Sequence, residues 1–187
     1  SLGQDLADGE LLQLSNVSNH SFSETVYFDV IRKKTAALFA ACTEAAAYSV
    51  GVSEEEVKLA RLLGEYIGIC FQIKDDIFDY FDSKEIGKPT GNDMLEGKLT
   101  LPVLYALNRA NDNQATEIAL KVKEGTATLA EIARLIAFTK ENGGIEYAVR
   151  TMNAYKQKAF GLLASLPDSA ICVALRSYLD YVVDREK

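Results

Sequence analysis

An all-α fold, a helical bundle, is what this sequence predicts, and three observations carry it. Apolar residues recur at helical spacing along most of the chain, and only 3 prolines interrupt its 187 residues. No segment shows the strict alternation of a half-buried strand. The pattern places helices at about 2–14, 24–48, 53–82, 97–110, 113–124, 128–142, 144–165 and 168–184, to within a few residues at each end.

The boundaries follow from local chemistry. Ser23-Glu24 and Ser53-Glu54-Glu55-Glu56 each offer a hydroxyl to free amides, followed by carboxylates at the positive end of the helix. Gly51 fits a stop before the third helix, and Gly143-Gly144 a break between later ones. The length suits one domain, 1–187, with a core of its own. There is no internal repeat. The one long irregular segment runs from Ser83 to Gly97 and holds Gly87, Pro89, Gly91 and Gly97. Directly behind an acidic helix it is a candidate lid, although its length alone fits a plain surface connection equally well.

Composition narrows the function classes. A net charge of −7 argues against nucleic acid as the main partner, yet leaves room for a phosphate substrate held through a cation and a few lysines. The single histidine, His20, sits in the polar stretch Ser18-Asn19-His20-Ser21, which removes histidine triads and the usual zinc sites. Cys42, Cys70 and Cys172 are odd in number, far apart and set among apolar residues. They read as reduced core thiols of a cytoplasmic protein. No apolar run approaches the ~20 residues of a membrane span.

The third helix carries the strongest chemical signal. In Phe71-Gln72-Ile73-Lys74-Asp75-Asp76-Ile77-Phe78-Asp79-Tyr80, residues Gln72, Asp75, Asp76 and Asp79 fall within an arc of roughly 100°. Apolar residues cover the rest, too widely for an ordinary surface helix. Carboxylates in such a setting need a partner or a metal, and hard oxygen ligands suit Mg²⁺, which takes one or two carboxylates beside water and substrate phosphate. Gly64, Glu65 and Gly68 continue the stripe. Two helical glycines cost about 1 kcal/mol each, which points either to a groove that something enters or to tight helix packing. The second helix presents Tyr27, Val30, Ile31, Lys34, Leu38 and Cys42 at helical spacing, so Lys34, with Thr35 beside it, interrupts an apolar stripe. Its ammonium either snorkels to water or shares a groove with the aspartates. Lys88 and Lys98 flank the glycine-rich loop, whose spacing matches neither a Walker loop nor a dinucleotide fingerprint.

These blocks resemble the trans-isoprenyl diphosphate synthases, the polyprenyl synthetase family, and in particular its long-chain, octaprenyl-type members. The resemblance runs through Gly9-Glu10-Leu11-Leu12-Gln13-Leu14, Lys33-Lys34-Thr35-Ala36-Ala37-Leu38-Phe39, the acidic segment, Gly87-Lys88 and Gly97-Lys98-Leu99-Thr100-Leu101-Pro102. It implies an isoprenoid-synthase bundle. Asp75, Asp76 and Asp79 would be its second aspartate-rich motif, holding Mg²⁺ bridged to an allylic diphosphate. Lys34, Lys88 and Lys98 resemble its diphosphate-contacting lysines, and Lys34, Thr35 and Gln72 its catalytic groups, with Thr35 and Gln72 beside the allylic carbocation. The implied reaction ionises an allylic diphosphate, adds isopentenyl diphosphate and loses a proton.

The family's first aspartate-rich motif has no counterpart here, because the chain holds no second Asp-Asp pair. The resemblance therefore implies the C-terminal part of such a domain, inactive alone, from a parent that forms a homodimer. Two other readings are a non-catalytic regulatory subunit of a heteromeric prenyl synthase and, more distantly, a terpene cyclase.

Overall fold

A computed structural model describes residues 1–17, 21–81, 90–166 and 170–185. Among them every regular element is helical. The helices are α1 (Leu2–Val17), α2 (Glu24–Ile31), α3 (Ala37–Ser49), α4 (Glu54–Phe78), the single turn α5 (Asn92–Leu95), α6 (Leu101–Ala110), α7 (Asn113–Lys123), α8 (Leu129–Glu141), α9 (Gly144–Ala164) and α10 (Ala170–Asp184). Between α2 and α3 lies a π-helical turn, Arg32–Ala36. The expected all-α architecture and most of its boundaries hold.

The start signals act as expected. Glu56 N–H and Ser53 Oγ, and Ser53 N–H and Glu56 Oε2, bond reciprocally at the head of α4, a capping box. Three boundaries differ. α1 runs on to Val17 rather than ending near residue 14. α4 stops at Phe78 rather than near residue 82. α6 begins only at Leu101, because Gly97 has φ +79° and Thr100 is extended. Pro102 then falls in the first turn of α6, where a missing N–H costs nothing.

The described chain gathers into two compact units. One comprises Ser1–Glu10, Asp29–Lys74 and Thr151–Glu186; the other is built from Leu11–Phe28 and Asp75–Arg150. In the first, α4 and α3 approach so closely that a Cβ on Gly68 would stand 2.6 Å from Ala36 Cα, and one on Gly64 2.5 Å from Phe39 O. Tight helix packing therefore accounts for both glycines, and the groove reading of them is corrected. Glu65 is likewise taken up, ion-paired with Arg32 at 3.4 Å. Cys70 is fully buried and donates weakly to Met152 O. Burial pushes its thiol up to about 12, so it is an inert core residue. Cys172 is buried too, whereas Cys42 is exposed, which corrects the expectation of three core thiols.

That exposure has a cause in the π turn. Ala37 N–H bonds to Arg32 O, five residues back, which adds a residue to one turn. The buried positions run Ile31, Ala36, Ala40, a step of five and then of four. The stripe read from an unbroken helix, through Lys34, Leu38 and Cys42, is thereby rotated outward. Leu38 is 52% exposed.

In the second unit Tyr80, Met94, Val103, Val122, Leu135 and neighbours form a core. Each such side chain contributes roughly 1.5–3 kcal/mol on burial. No helix among the described residues is long and apolar enough to cross a membrane.

Candidate functional site

The first unit holds the Lys-Thr group. The π turn carries Lys33, Lys34 and Thr35. Thr35 Oγ1 donates to Gln72 Oε1 at 2.8 Å, so two of the residues singled out for the reacting carbon are joined. The Lys34 stem passes Gly9 of α1, where an added Cβ would lie 2.8 Å from Lys34 Cγ. Its ammonium meets Glu10 at 2.5 Å. Lys34 thus snorkels, but onto the carboxylate of Glu10. Gly9 and Glu10 belong to the first block of the motif series, yet their bearing on Lys34 depends on a contact between residues far apart in sequence.

The second unit holds the acidic group, and its three aspartates differ. Asp75 is exposed. Asp76 is 3% exposed and accepts the Tyr27 hydroxyl at 2.5 Å. Burial, and then the Asp76 charge, push the Tyr27 phenol well above its ordinary value, so it stays a donor. Asp79 accepts from the backbone amides of Asn92 at 3.0 Å and Asp93 at 3.1 Å. Asp93 escaped the reading of the sequence, where it is one polar residue in a loop. Burial, followed by the Asp79 charge, raises its carboxyl to about 6, with Lys98 pulling it down and Glu96 and Asp75 adding to the rise. Lys98 pairs with Glu96 at 2.5 Å. Lys88, His20 and the part of the candidate lid from 83 to 89 lie outside the described residues.

Among the described residues no three His, Cys, Asp or Glu side chains are gathered as a metal cage. Mg²⁺ needs none, since one or two carboxylates suffice and phosphate and water complete the octahedron. The donor type fits such an ion: the acidic segment offers only carboxylate oxygens, and Asp75 is exposed.

Comparison with known proteins adds the family. Residues 2–139 match the profile named Polyprenyl synthetase. The chain is 38% identical to the octaprenyl diphosphate synthase of Haemophilus influenzae, over 96% of this chain and 55% of that protein. It is 34% identical to the heptaprenyl diphosphate synthase component 2 of Geobacillus stearothermophilus, over 97% and 56%. A crystal structure of geranylgeranyl pyrophosphate synthase from Bacteroides thetaiotaomicron superposes with a TM-score of 0.95 at 80% identity, covering 98% of this chain and 61% of that one. A polyprenyl synthase from Caulobacter crescentus, solved with calcium and isoprenyl diphosphate, superposes at 0.89 with 33% identity, over 100% and 57%. The chain spans about half the length of the curated relatives it matches.

Proposed function

Because this chain belongs to the polyprenyl synthetase family, we propose that the protein carrying it is a prenyltransferase. It would add isopentenyl diphosphate to an allylic diphosphate and release an all-trans polyprenyl diphosphate, in the cytoplasm and as a homodimer. The observation that carries the reading is the Thr35–Gln72 hydrogen bond, with Lys34 next to Thr35 in the same π turn. An enzyme that makes an allylic cation needs neutral oxygen dipoles at the carbon and cations at the leaving group. Thr35 and Gln72 supply the first and Lys34 the second.

Lys34 and Lys98 would bind the diphosphate by exchanging Glu10 and Glu96 for phosphate oxygens, with Lys88 as a third contact. Mg²⁺ would be held at the acidic segment of α4, with exposed Asp75 presenting its carboxylate. Bound there, it would neutralise charge growing on the departing diphosphate. Tyr27 keeps Asp76 in place behind it.

The likeness to a component 2 protein favours a second reading, a subunit of a heteromeric synthase. Product formation from isopentenyl diphosphate and an allylic primer, by the protein expressed from its complete coding sequence, separates the two. The catalytic reading expects turnover without a partner, a loss of about 100-fold or more in Asp75→Ala, and none from the 187-residue chain alone. A fully active Asp75→Ala protein would overturn the metal assignment, and turnover by the chain alone would overturn its dependence on the rest of the domain.

A further inference from the structure

Asp79 follows directly on α4, and all of its recorded bonds lead to one place. Its carbonyl accepts Gly91 N–H at 2.9 Å, Oδ1 accepts Asn92 N–H at 3.0 Å and Oδ2 accepts Asp93 N–H at 3.1 Å. The last two are the first amides of α5, which have no partner within their own helix, and Gly91 stands just before it. The residue in the capping position, Gly91, cannot serve them. It has φ +80°, and a Cβ there would meet Ile132 Cγ2 at 2.8 Å, so no Ser, Thr or Asp is tolerated. A carboxylate from the end of α4 caps α5 instead.

The far end of α5 is closed as well. Gly97 N–H bonds to Met94 O at 3.1 Å, and Lys98 N–H to Asp93 O at 2.8 Å, with Gly97 at φ +79°, which is a Schellman motif. Met94 is buried in the core of its unit. The turn is thus tied at its head by Asp79, anchored in the middle by Met94, and left at its tail by Lys98.

We propose that Asp79 is a positioning residue that clasps α5 and so sets the place of Lys98, rather than a ligand of the metal. The proposal rests on the reading of Lys98 as a diphosphate-binding group. Both carboxylate oxygens of Asp79 are committed to amides at the positive end of a helix turn. A cation brought to them would face N–H donors and compete with two charge-assisted bonds.

Asp79→Asn and Asp79→Ala separate the two roles, because asparagine keeps one of the two acceptors but carries no charge, and alanine keeps neither. In the protein from the complete coding sequence, amide exchange at Asn92 and Asp93 reads the clasp. Calorimetric binding of inorganic pyrophosphate with Mg²⁺ reads its consequence. In Asp79→Ala both amides should exchange about tenfold faster or more, and pyrophosphate affinity should fall about tenfold. Adding Asp79→Ala to Lys98→Ala should weaken binding little further, because one residue acts through the other. Asp79→Asn should keep one of the two amides protected and bind pyrophosphate more tightly than Asp79→Ala, because one acceptor of the clasp remains. The proposal is overturned if Asp79→Asn binds as poorly as Asp79→Ala while one of the two amides stays protected, or if the Asp79→Ala and Lys98→Ala losses add in full. Should the unsubstituted protein bind no pyrophosphate, the proposed function fails; unchanged exchange in Asp79→Ala would then overturn the clasp on its own.

Discussion

Gly64 and Gly68 allow a test in which propensity and packing pull in opposite directions. Replacing a helical glycine by alanine gains about 1 kcal/mol from propensity. At Gly68 the new methyl would stand 2.6 Å from Ala36 Cα and 3.1 Å from Phe39 Cδ2, and at Gly64 2.5 Å from Phe39 O and 2.8 Å from Ala40 Cα. Ordinary contact begins at 3.4 Å. Backbone atoms cannot rotate away, so the neighbouring helix must retreat by about 1 Å, a packing strain of typically 1–3 kcal/mol or somewhat more. The balance is a net loss of up to about 2 kcal/mol at each position, larger at Gly64, where two backbone atoms obstruct. Gly161 of α9 is the control. Nothing lies within 4 Å of its added Cβ, so Gly161→Ala should stabilise by up to about 1 kcal/mol. Urea unfolding of the three variants, compared at equal m, measures all of this. The retreat would also draw Thr35 from Gln72, now 2.8 Å away. If Gly64→Ala and Gly68→Ala match the gain of Gly161→Ala, the helices are not held at their observed distance, and the packing account of both glycines is wrong.

Two further expectations concern polar groups that tie elements together. Tyr27→Phe removes the hydroxyl that serves buried Asp76 and should destabilise by about 1–3 kcal/mol, read by the urea midpoint; an unchanged midpoint would show that Asp76 is satisfied without it. Asp112→Ala removes the carboxylate that caps Ala115 N–H at the head of α7 and should cost about 1 kcal/mol, with faster exchange confined to the first turn of α7.

The helices were legible because their causes are local. Ser53 and Glu56 lie within one turn of each other, and Gly51 stands where a chain leaves a helix. The 3.6-residue period of α4 needs no partner to be seen, and neither does the arc that holds Gln72, Asp75, Asp76 and Asp79. The motif series from Gly9-Glu10 to Lys98 is a matter of residue order, and family membership followed from it.

The π turn could not be read this way. It exists where Ala36 must fit against Gly68, a residue 32 positions away, and one extra residue in one turn redirects every side chain beyond it. That is why the stripe through Lys34, Leu38 and Cys42 faces outward while Ala36 and Ala40 are buried. The aspartates separate for the same reason. Sequence alone makes Asp75, Asp76 and Asp79 chemically alike, three carboxylates on one helical face. Tertiary structure leaves Asp75 in solvent, buries Asp76 against a phenol of α2, and turns Asp79 onto amides more than ten residues further along. Periodicity assigns a side chain to a face of its own helix; what waits on that face belongs to other parts of the chain, and packing alone decides it.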